Sequence, residues 1–60
     1  MTESIVQQVI HLERQALLME EDAQRLLKAG EITELYARMI RGEVDRLRAK
    51  AAALEESLHE

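Results

Sequence analysis

His59 follows Glu56 by three residues and Glu55 by four, the spacings at which helical side chains share a face. A Glu-x-x-His pair is the unit from which helical bundles build di-iron sites, but such a site takes two copies, both aimed inward. The chain carries one copy, and Leu58 takes the inward position beside it. His59 therefore reads as a surface residue at a helix end. His11 has neither a carboxylate nor a second histidine three or four residues away, which excludes a helical metal pair.

Glu20, Glu21 and Asp22 form an acidic run. Paired carboxylates do acid–base work only where burial or mutual repulsion drives their pKa values apart. Consecutive residues on a helix point about 100° apart, so this run reads as a solvated face. Ser4 and Ser57 stand near opposite ends of the chain, without a base–acid pair to activate either. Gly30 and Gly42 are too far apart to form a phosphate-cradling loop. The expectation is a non-enzyme with no catalytic, cofactor-binding or metal-binding residues and no small-molecule substrate.

Positive charge is the remaining candidate. Residues 38–50, RMIRGEVDRLRAK, hold five basic and two acidic side chains, in a chain of net charge −4. Arg38, Arg41, Arg46 and Arg48 are the candidate nucleic-acid contacts. Against that reading, Glu43 and Asp45 interleave, no aromatic residue stands among the arginines to stack on a base, and the whole chain is acidic. The alternative is a helix surface laced by ion pairs such as Glu34–Arg38 and Arg41–Asp45.

The elements that would position these residues are helices. Proline and cysteine are absent, Tyr36 is the only aromatic residue, and good helix formers dominate the composition. No apolar run approaches the ~20 residues that span a membrane. The N-terminal MTESIVQQ lacks the basic and apolar regions of a signal peptide, so a cytoplasmic chain is expected. Ile5, Val9, Leu12, Ala16, Met19, Ala23 and Leu26 recur at alternating spacings of four and three, as do Ala37, Ile40, Val44, Leu47, Ala51, Leu54 and Leu58. Each run is an unbroken heptad seam.

Between the seams lies LLKAGEITELY, residues 26–36. Gly30 falls where a left-handed residue closes a helix, and Lys28 sits favourably against the negative end of the helix dipole. Thr33 can cap the next helix, Glu34 suits its positive end, and Ile32 can fold back as a staple. Ser4 with Gln7 forms a capping signature for the first helix, with Thr2 as a competing cap. These signals predict an all-α chain: an antiparallel two-helix hairpin with a helix over about 4–29, a turn at 30–33 and a helix over about 34–58.

The turn resembles that of short helical-hairpin domains of the SHOCT type, in which a leucine-rich helix ends in Gly-x-Ile-Thr before an acidic–aromatic start. The likeness covers residues 26–36. Tyr36 comes early for that pattern, and Glu34 stands alone where an acidic pair is usual. The bend is also similar to that of the exonuclease VII small subunit, through Arg25, Leu26, Gly30, Glu31 and Ile32, with the following glycine displaced by two residues. Both resemblances imply a helical hairpin. Turn chemistry alone would produce them, so neither assigns a family.

A lone hairpin buries one seam, and sixty residues are few for a self-sufficient core. Apolar residues outside the seams suggest a second layer: Val6, Ile10 and Leu17 on the first helix, Leu35, Met39 and Gly42 on the second. These are the expected partner interface. Gly42 reads in three ways: a tolerated surface glycine, a point of close helix approach, or a break that leaves 33–41 as a separate short helix. The expectation is a protein–protein interaction module, either a homodimer closing into a four-helix bundle or a hairpin docked on a helical protein partner. A co-chaperone of a type III secretion system or an accessory subunit would be of the second kind. A small dimeric RNA- or DNA-binding regulator is the alternative.

Overall fold

Thr33 and Ser4 begin the two helices of this chain. The computed structural model describes residues 4–58, in which α1 spans Ile5–Lys28, α2 spans Glu34–Ser57, and the two pack against each other as a hairpin. Ser4 Oγ accepts a hydrogen bond from the Gln7 backbone N–H at 3.2 Å, and Thr33 Oγ1 accepts one from Tyr36 N–H at 3.1 Å. Each hydroxyl satisfies an amide that has no partner within the helix. Thr2 and His59 lie outside the described residues. Ala29 and Leu58, expected inside or at the ends of the helices, are their C-caps.

The turn closes α1 by a two-bond motif. Glu31 N–H donates to the Leu26 carbonyl at 2.9 Å and Gly30 N–H to the Leu27 carbonyl at 3.1 Å. The geometry requires a left-handed residue between them, and Gly30 supplies it at φ +75°. Ile32 is half-buried in a hollow shared with Leu26, Thr33 and Tyr36. α2 runs unbroken through Gly42, so no separate helix forms over 33–41.

What lies between the helices is small. The buried core consists of Val9, Ala16 and Ala23 from α1 and Ala37, Val44 and Ala51 from α2, and Val44 is the largest fully buried side chain. Each set recurs every seventh residue, the repeat of an inward line on a helix that packs along its length. Leu12, Met19, Leu26, Ile40, Leu47 and Leu54 are only half-buried, and Ile5 and Leu58 at the open end are exposed. The molecule measures 44 × 19 × 15 Å. Its thickness is little more than one helix diameter of about 10–12 Å, so the hairpin is a single layer. Among the described residues no helix is long and apolar enough to cross a membrane.

Candidate interaction surface

The two sides of the hairpin differ sharply. In α1, Glu13 and Glu20 stand four residues after Val9 and Ala16, while Leu12 and Met19 stand three after. On a helix these offsets fall on opposite sides of the Ala/Val line. In α2 the same offsets from Ala37 and Val44 give Arg41 and Arg48 on one side, Ile40 and Leu47 on the other. Glu20 and Arg48 form an ion pair across the helices, which puts the charged offsets of α1 and α2 together. The large aliphatics three residues after the buried line therefore share the opposite side, while Leu27, four residues after Ala23, lies on the charged side.

That aliphatic side carries Leu12, Met19 and Leu26 from α1 and Ile40, Leu47 and Leu54 from α2, all half-buried. Exposed Ile5 extends it at the open end, and exposed Tyr36 borders it at the turn. The charged side holds a shallow groove of about 510 Å³ lined by Glu13, Leu17, Arg48, Ala51, Ala52 and Glu55, with Arg14 at its edge.

The residues expected at the partner interface lie on more than one face of the hairpin. Val6, Ile10 and Leu17 flank the charged side of α1 and are half or more exposed. Leu35 and Gly42 lie on the back of α2, and Met39 lies between that back and the aliphatic side. A Cβ added at Gly42 would meet nothing within 4 Å, so this glycine admits no close approach within the hairpin. The half-buried seam leucines Leu12, Leu26, Leu47 and Leu54 lie outside that set. The signal was present in residue size: small side chains recur at 9, 16, 23, 37, 44 and 51, and large ones occupy the alternate seam positions.

The candidate arginines are also divided. Arg38, Arg41 and Arg48 lie towards the charged side, where Arg48 is paired with Glu20. Arg46 projects elsewhere and pairs with Glu43 at 3.5 Å. The expected Glu34–Arg38 and Arg41–Asp45 pairs are not formed. The pairs among the described residues are Arg25–Asp22, Arg46–Glu43 and Arg48–Glu20. The acidic run is accordingly not a uniform solvated face: Glu20 is half-buried against α2, and Asp22 binds Arg25 at 2.7 Å. His11 is exposed beside Arg14, Gln15 and Leu18 on the outer face of α1. No cluster of three His, Cys, Asp or Glu side chains suited to a metal occurs among the described residues.

Comparison with protein-family models, with curated proteins and with solved structures finds no match to this chain.

Proposed function

We propose that the chain is a non-enzymatic protein–protein interaction module, a helical hairpin that self-associates into a four-helix bundle. One observation carries this reading: the space between α1 and α2 is filled by Ala and Val, and six large aliphatics, Leu12, Met19, Leu26, Ile40, Leu47 and Leu54, are left half-buried on one side of a single layer. Stable domains cover an apolar face with a second layer. For two antiparallel helices, the common second layer is another such pair, and twofold symmetry supplies it from the same chain. Docking on a larger helical protein, as a co-chaperone or accessory subunit would, meets the same need by another occupant.

Sedimentation equilibrium over a concentration series tests the proposal. The expected mass at micromolar concentration is twice the 6.9 kDa of the chain. A folded monomer over the whole range would refute self-association. Capture of one defined protein from the native host, at a fixed ratio and in place of the dimer, would select the accessory-subunit form.

A further inference from the structure

We propose that a second copy of this chain covers the aliphatic side, with the two hairpins antiparallel so that their turns lie at opposite ends of the bundle. The proposal rests on the self-association reading above and assigns it a face and an orientation.

Shape supports stacking on this face in either orientation. The turn joins Lys28 to Glu34 and sets the register of the helices. In that register Leu12 stands level with Ala51, Ala16 with Leu47, Met19 with Val44, and Ala23 with Ile40. Every level thus holds one half-buried large side chain and one small side chain buried between the helices. Stack a second copy upside down about the middle of the hairpin, and Leu12 lies across from the second copy's Ala23, while Ala51 lies across from its Ile40. Each large side chain then lies over a gap between large side chains of the second copy, the condition for filling a core without voids or overlap.

Charge then selects the orientation. Glu43 and Lys50 stand three residues beyond Ile40 and Leu47, at the rim of the aliphatic side. In the antiparallel stack α2 lies across from α2 of the second copy, and Glu43 comes beside the second copy's Lys50. Twofold symmetry forms this pair twice. With the turns at the same end, α1 would lie across from α2, and Asp22, three residues beyond Met19, would come beside the second copy's Glu43. Two carboxylates would then come together at each rim, each beside an arginine of its own helix, Arg25 for Asp22 and Arg46 for Glu43. Lys50 is exposed and forms no ion pair with a described residue of its own hairpin.

The test is the dimer dissociation constant, measured by sedimentation at low salt for the unaltered chain and four variants. Glu43→Lys and Lys50→Glu each replace two attractions with two repulsions and are expected to weaken the dimer roughly tenfold. The combined variant E43K/K50E restores opposite charges and should return to within about threefold of the unaltered chain. Ile10→Gln with Leu17→Gln, on the other side, should leave the constant within about threefold. All these positions are exposed, and circular dichroism of each variant is the check that it remains helical. A tighter dimer for Glu43→Lys would overturn the antiparallel orientation. Insensitivity to both charge reversals, with dissociation by the Ile10/Leu17 change, would overturn the face while leaving self-association standing. A monomeric unaltered chain would overturn the proposal together with the reading beneath it.

Discussion

Two glycines make opposite demands on the backbone, and the difference fixes what substitution should do at each. Gly30 holds φ +75°, which an L side chain enters at a cost of about 1–2 kcal/mol, so Gly30→Ala should lower stability by that amount in thermal or urea unfolding. Gly42 holds ordinary helical geometry with open space around its missing Cβ. Gly42→Ala should therefore raise stability by about 1 kcal/mol, through helix propensity alone. A loss of stability there would instead place Gly42 against another helix in the assembly. The Gly30 role is legible in the sequence because its determinants are local: Thr33 caps, Ile32 packs back, and the chain must reverse between them. The Gly42 role is not, since three readings of that residue share one composition and differ only in what stands opposite.

At the scale of the elements, the hairpin is better secured at one end than at the other. At the turn, Arg25 and Lys28 occupy the last turn of α1 and Glu34 the first turn of α2, each matched to its helix dipole. At the open end, α1 has no acidic residue in its first turn and α2 no basic residue in its last. Amide exchange is expected to slow from the open end towards the turn, measured residue by residue. Glu56→Lys should stabilise the last turn of α2 by about 0.3–1 kcal/mol, read as a rise in melting temperature that shrinks with added salt. Helix extents were legible from heptads and caps to within a residue or so. The ion pairs were not. Spacing within one helix suggested Glu34–Arg38 and Arg41–Asp45, whereas Arg48 reaches across to Glu20, a partner visible only after the register of the two helices is set.

For the whole molecule, the proposed self-association would tie stability to assembly. If the large aliphatics are covered only between copies, unfolding releases the second copy, and the melting temperature must rise with protein concentration. Differential scanning calorimetry across a hundredfold dilution would detect the shift. A constant melting temperature would mean that the single layer is stable alone. The heptad pattern marked the seam positions but not their division into two kinds. That division arises because small side chains let the helices approach, and the approach forces the larger neighbours out to one side. Burial in a hairpin is set by both partners' side chains together, so neither run of the sequence discloses it separately.

The position of Tyr36 has an optical consequence. It is the only aromatic residue, with neither Trp nor Phe beside it to transfer or mask excitation. Its ring lies half exposed at the turn, in the hollow shared with Leu26 and Ile32, at the edge of the aliphatic side. Antiparallel stacking would bring it near the open end of the second hairpin, beside Ser57. Its ultraviolet emission would then be an intrinsic reporter of docking, and dilution alone, without dye or denaturant, would show when the two copies part.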